Sequence, residues 1–427
     1  MIWQVVYIHD VHAYAAVTAT ILDNSVDHRF FRLALVLGLI SAVGPFSIDM
    51  YLPALPSIGA GLKASPAAVQ MTLTVFFGTL GVCQLFYGPL SDHFGRKPPI
   101  FLGLALFGIG SVGCALAPTI ESLIAFRMVE ALGACAGMVI PRAIVRDLHT
   151  GPEAASLMSL LILVFSISPI CAPMTGSFVI AFVGWRGIFW TVTAVSALCL
   201  VLAATLLEET WPKVAHVANP MQNTLNSFRR LLSDPTFLGL TFVGAFSMSA
   251  FFIYLASSSF VYIDHYGLSP ATYSLLFGFN AISLFGVAQL NGGLTRRFGM
   301  AKVIRIGATG FALVMIVLLA VVAMHIEQLG ILVGLLFVGF GFTGLIVPTT
   351  AVLALEKHGA TAGTASALMG ALQMITGAVI MEIVGVFAND TPLPMVAGIA
   401  ACALIAFGLV QSILLSSVST HETKPAS

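Results

Sequence analysis

Asp49, Arg127, Glu130 and Glu382 are ionisable residues set inside long apolar runs. A charged group in lipid is costly and marks a functional site by default. Desolvation disfavours the charged form of a carboxyl, so Asp49 suits a reversible proton carrier. Pro45 and Pro53 flank it, and each removes a backbone donor nearby. The alternative is an interfacial Asp that caps a helix end, since Asp49 falls toward the outer end of its run. Arg127 and Glu130 share a helix face and are placed to pair. They are expected to face the cavity of the first half rather than lipid, as an element that senses protonation of nearby acids; a static ion pair is the bland reading. Glu382, with Gln373 some two turns before it, is placed to bind a cationic or polar group, or simply approaches the membrane surface. Phe251, Phe252 and Tyr254 are candidate cavity aromatics, with lipid-facing packing as the alternative, and Tyr51 is a further cavity candidate.

The elements that hold these residues follow from composition. Of 427 residues, 58% are hydrophobic and 8% charged, against roughly 25% charged in soluble domains. The mean hydropathy is +1.01. So few charges cannot cover a water-facing surface, and lipid permits only helices or closed barrels. The runs lack the alternation of barrel strands. They predict an all-α membrane protein with twelve transmembrane helices, near 31–54, 67–90, 98–118, 120–142, 155–182, 185–207, 236–262, 270–291, 302–324, 328–349, 362–387 and 393–416.

Lys and Arg collect on one side of this array: Arg96, Lys97, Arg142, Arg146, Lys213, Arg229, Arg230, Arg296, Arg297, Lys302, Arg305 and Lys357, with Arg29 and Arg32 before the first span and Lys424 after the last. The opposite loops hold Lys63 and Arg186. By the positive-inside rule the basic side and both termini are expected to be cytoplasmic. The expected organisation is a poorly ordered tail at 1–29, six-helix bundles at 30–207 and 236–417, a proline-containing linker at 208–235 and a tail at 418–427. His9 and His12 belong to the first tail and are not read as a metal site. The six cysteines lie in apolar runs without a CxxC and read as small packers.

The halves echo one another. Gly88-Pro-Leu-Ser-Asp-His-Phe-Gly-Arg-Lys97 follows the second run, and Gly292-Gly-Leu-Thr-Arg-Arg-Phe-Gly299 follows the eighth. Parallel repeats are a transporter signature, with the site expected between the halves. Gly88 and Gly95 would allow a tight turn, across which Asp92 and Arg96 can pair. Asp147 is expected to join them, and backbone N–H groups near Thr361 and Gly363 are expected to meet Asp92 as a gate latch. No HExxH, GxSxG or GxxxxGK[ST] is present, which leaves neither an enzyme site nor an ATP-driven pump. No filter-like loop suggests a channel. Net charge is zero, with no bias toward nucleic acid, and no cofactor is called for.

The string at Gly88–Lys97 resembles the loop between helices two and three of the major facilitator superfamily. Ser47-Ile-Asp-Met-Tyr-Leu-Pro-Ala-Leu-Pro56 resembles the first-helix signature of the bicyclomycin/chloramphenicol resistance (Bcr/CflA) drug:proton antiporters. Arg127-Met-Val-Glu-Ala-Leu-Gly133 resembles the fourth-helix motif, and Pro169-Ile-Cys-Ala-Pro-Met-Thr-Gly176 the fifth-helix antiporter motif. Trp185-Arg-Gly-Ile-Phe-Trp190 opens the sixth helix in the same way. The resemblance covers roughly residues 30–417. It departs from the pattern at Ser168 and Ser177, where the family has glycine, and at Glu130, where it has a neutral polar residue. The resemblance implies a monomeric multidrug exporter in a bacterial inner membrane, working by proton antiport and alternating access. Proton coupling would involve Asp49, Arg127 and Glu130, and the antiporter motif is Pro169, Pro173 and Gly176. A proton-coupled exporter of amino acids or peptides is the alternative.

Overall fold

The computed structural model describes residues 28–210, 220–389 and 391–422. Residues 1–27 of the first tail, most of the proline-rich stretch of the linker, and Lys424 lie outside the described residues. Twelve helices are long and apolar enough to cross a membrane: Phe30–Leu62, Pro66–Phe94, Lys97–Leu116, Ile120–Leu148, Ser156–Val183, Trp185–Leu206, Pro235–His265, Pro270–Phe298, Met300–Ala323, Leu329–Glu356, Ala362–Val386 and Leu393–Ile413. They are called the first to twelfth spans below.

The repeat seen in the loops extends to the packing. Within the first half, the fourth span packs on the first, second and third, the sixth on the first and third, and the fifth on the first. Each pairing recurs in the second half six spans later: ten on seven, eight and nine, twelve on seven and nine, eleven on seven. Local signals repeat too. Ser65 caps the second span before Pro66, and Ser269 caps the eighth before Pro270, each accepting a backbone N–H. Pro at the first helical position gives up a donor that has no partner there. Gly95 ends the second span with φ 88°, and Gly299 the eighth with φ 81°, a conformation that costs a side chain but not glycine.

Two seams join the halves, the fifth span on the eighth and the second on the eleventh. The second and eleventh run antiparallel at close range. A methyl group at Gly385 would stand 3.0 Å from Gln70 Oε1, one at Gly78 would stand 3.7 Å from Ala378, and one at Gly81 would stand 2.8 Å from Ile375; Gly370 faces Gln84. Phe77 of the second span stacks on Phe252 of the seventh at 4.5 Å, and Phe252 lies over Gly377.

Several boundaries differ from the hydropathy reading. The second, fourth, eighth and tenth helices continue for one or two turns on the basic side, to Phe94, Leu148, Phe298 and Glu356. Hydropathy registers only the stretch in lipid, whereas the hydrogen-bonded helix continues into water. Gly88 therefore lies within a helix, and the turn is confined to Gly95 and Arg96. The linker carries a helix, Pro220–Leu232, packed on the eleventh and seventh spans. The last helix runs to Glu422, into the expected tail.

Candidate functional site

The first span is broken where its acid stands. A helix covers His28–Asp49, a 3₁₀ turn covers Leu52–Ala54, and a second helix, Leu55–Leu62, completes the span. Pro53 explains the position of the break. Its ring would clash with the carbonyl four residues back, that of Asp49, and it offers that carbonyl no N–H. Irregular backbone at membrane depth is tolerated where protein encloses it, and Met50, Tyr51, Leu52, Pro53 and Ala54 are all buried. Because the span runs on to Leu62, Asp49 is not at its outer end but about 20 Å of helical rise short of it.

The fifth span clasps this break. Ser168 Oγ donates to Asp49 Oδ2 at 2.8 Å, and both residues are buried. Gly176, two helical turns on, lies against the Met50 backbone: an added Cβ would overlap the carbonyl oxygen and come within 2.9 Å of its carbon. Among the described residues no Arg, Lys or His pairs with Asp49. The turn Leu52–Ala54, just after Asp49, touches the seventh and eighth spans. A buried carboxyl with a hydroxyl partner and no counter-charge thus sits beside the seam between halves. Pro169 and Pro173 fall in the same stretch of the helix Gly151–Val183. The Pro173 carbonyl accepts from Ser274 Oγ of the eighth span at 2.9 Å, and Ser177 Oγ lies 3.2 Å from Ser274 Oγ. The antiporter-like segment therefore holds both the acid and the partner half.

Arg127 and Glu130 pair as expected, with Nη1 to Oε2 at 2.9 Å and no exposure of either side chain. They do not line a cavity: they are enclosed among the first four spans. Ser47 donates to Glu130 at 2.6 Å and accepts from Arg127 at 3.1 Å. The Cys114 thiol points to the other Glu130 oxygen at 3.7 Å. The guanidinium is held between the rings of Tyr51 and Phe76, 4.7 and 4.2 Å from their centroids, an arrangement that stabilises a desolvated cation. Arg127 Nε and Nη2 have no protein partner. Gly133 completes the motif because the backbone of the third span at Gly103 and Phe107 occupies the place of a side chain.

On the basic side Arg96 gathers Ser91 at 2.7 Å, Asp92 at 2.5 Å and Asp147 at 2.7 Å. Glu209, at the start of the linker, accepts the backbone N–H groups of Arg96 at 2.8 Å and Lys97 at 3.0 Å, capping the third span. No sequence motif had marked Glu209. The contact expected between Asp92 and the start of the eleventh span is not made: Asp92 is turned toward Arg96 and its side chain is 58% exposed. Beside Gly363 stands Arg146 instead.

The remaining cavity candidates are mostly packed away. Tyr51 bonds Thr72 at 2.9 Å. Tyr254 accepts from Asn280 at 3.0 Å, and with Phe251, Phe277 and Phe340 it forms a closed aromatic cluster. Gln373 is half-buried against Gly244, and Glu382 is half-buried on the eleventh span. No group of three or more metal-ligating side chains occurs among the described residues.

A sequence model of the Major Facilitator Superfamily matches residues 37–381. The uncharacterized MFS-type transporter YdgK of Bacillus subtilis is 35% identical over 372 residues, 87% of this chain and 92% of that protein. The bicyclomycin resistance protein homolog of Haemophilus influenzae is 29% identical over 375 residues, covering 88% and 94% of the two chains. The chloramphenicol resistance protein of Pseudomonas aeruginosa is 29% identical over 382 residues, covering 88% and 89%. The crystal structure of a D-xylose-proton symporter shares the fold, with TM-score 0.72 and 16% identity over 90% of this chain and 97% of that one. Twelve spans in two repeated halves, the paired loops and these relatives together make the chain a member of the major facilitator superfamily, of the Bcr/CflA type, and a membrane transporter rather than an enzyme.

Proposed function

We propose that the protein exports small amphipathic drugs from the cytoplasm across a bacterial inner membrane, in exchange for protons, by alternating access. The observation that carries this reading is the unpaired, buried carboxyl of Asp49 at the break in the first span, held by Ser168 beside the seam between halves. Antiport needs a group that is charged in one state and neutral in the other. Water reaching Asp49 from the outside would let it take up a proton, and the neutral carboxyl enters a dry interior at far lower cost than the anion. Release of that proton to the cytoplasm would favour drug binding, so the two ligands oppose one another reciprocally. Arg127 and Glu130 give this bundle a fixed charge pair one helix away. The charged turn at Asp92, Arg96 and Asp147 forms the cytoplasmic gate in this reading, and the basic side with both termini faces the cytoplasm.

The test is substrate-induced proton release from purified protein in detergent. Asp49→Asn mimics the permanently neutral form; it is expected to insert and fold but to release no proton on drug binding and to fail to pump against a gradient. Asp49→Glu is expected to retain partial activity. Equal release from wild type and Asp49→Asn would remove Asp49 as carrier.

A further inference from the structure

Arg142 is not absorbed by the site above. It stands within the fourth span, about 9 Å of helical rise before the end at Leu148, and its side chain is exposed. The apolar run ends at 142, so Arg142 stands at the water end of the stretch in lipid, where an arginine faces either the headgroups or a water-filled cavity between the halves. Its neighbours one turn away on the same helix face identify that cavity. Met138 packs on Gly44 of the first span, and Arg146 reaches toward Gly363 of the eleventh, in the other half. The face that carries all three therefore looks into the gap between halves, not into lipid. Among the described residues no carboxylate pairs with Arg142. Its contact is with an aromatic face: the guanidinium lies 5.2 Å from the centroid of Phe165, on the fifth span.

We propose that Arg142 and Phe165 form the entry subsite for substrate, and that they select amphipathic molecules carrying an anionic group next to an aromatic or apolar body. This rests on the export reading above and names its substrate class. A guanidinium presents a planar fork of donors to a carboxylate or similar anion. Phe165 meanwhile offers a flat apolar surface to the rest of the molecule. Arg146, on the same face nearer the basic end, adds to the positive field at the mouth and raises the local concentration of anions there. A lipophilic cation meets the reverse: two like charges on the way in, a repulsive element of the kind that sets specificity.

The test compares two compounds that differ by one carboxylate, chloramphenicol and its hemisuccinate, in equilibrium binding to purified protein. Wild type is expected to bind the hemisuccinate roughly tenfold more tightly, as one charge-assisted contact implies. Arg142→Gln is expected to bring the ratio to about one. Arg142→Lys keeps the charge but loses the fork, and is expected to keep a preference of roughly threefold. A wild-type ratio of one or less overturns the inference, as does a preference that survives Arg142→Gln. Failure of the parent reading looks different: anion preference with no proton flux driven by either compound would sink proton antiport while leaving the subsite in place.

Discussion

Gly176→Ala tests how the fifth span holds the break in the first. The added Cβ would overlap the Met50 carbonyl oxygen and stand 2.9 and 3.0 Å from its carbon and Cα. All three are backbone atoms of a segment fixed by its neighbours, so no side chain can swing aside. Regaining ordinary contact distance requires the two spans to part by slightly more than ~1 Å, and overpacking of this kind costs about 1–3 kcal/mol. The displaced backbone is that of the residue after Asp49, and the Ser168–Asp49 hydrogen bond at 2.8 Å would lengthen with it. Gly88→Ala is the matched control, because a Cβ there meets nothing within 4 Å and glycine within a helix is worse than alanine by about 0.5–1 kcal/mol. Thermal unfolding of both variants in detergent should therefore move in opposite directions, Gly176→Ala down and Gly88→Ala level or up. Gly176→Ala should also lose most drug-stimulated proton release. If it unfolds at or above the wild-type temperature, the close approach of the fifth span to Met50 is not what holds the site.

Arg127→Ala strands Glu130 without its cation, and the cost of breaking a buried pair is about 3–5 kcal/mol; unfolding temperature and export should both fall sharply, and a variant with full export would reduce the pair to scaffolding. Burial pushes the Asp234 carboxyl up, but the N–H groups of Phe237 and Thr236 and the contact with His358 outweigh it and hold it below the ordinary carboxylate range. Its folded value being depressed, its contribution to stability is complete above the unfolded value and is lost as pH falls through the folded one; Asp234→Asn should flatten the acid limb of a stability–pH profile, and an unchanged limb would dismiss the contribution. In a background without native cysteines, a cysteine at Gln222 should react with an impermeant maleimide only from the cytoplasm and one at Ser65 only from outside, whereas the opposite pattern would invert the orientation.

Much of this was legible because lipid is a demanding solvent. It forces long apolar helices, so the span count and the repeat could be read from hydropathy and from two loop strings. Arg127 and Glu130 were legible because helical spacing alone puts them on one face. Their partners were not: Ser47 and Cys114 come from other helices, and a Ser or Cys in an apolar run gives no sign of what it touches. Ser168 was visible only as a serine where related sequences carry glycine, and its meaning depends on a partner 119 positions away. The depth of Asp49 was not legible because the apolar run reads as ending at 54, whereas the chain turns once and continues as helix to Leu62. The aromatic residues of the seventh span misled for a related reason, since hydropathy does not separate a cavity wall from a packed cluster.

The seam between the second and eleventh spans bears on how the halves can move. Gln70, Phe77 and Gln84 recur every seven residues on one helix, and each faces a small residue or a ring lodged at the partner helix. That is the register of a left-handed coiled coil. Such a contact behaves as a gear rather than a rail. Sliding by one residue would carry each amide about 1.5 Å along the axis and out of its notch, so sliding is opposed at every rung. Tilting about the central ring pair separates one end while seating the other. Under the alternating-access reading proposed above, the halves would rock about Phe77 and Phe252, and a bulky side chain at Gly370 or Gly385 would jam opposite ends of that swing.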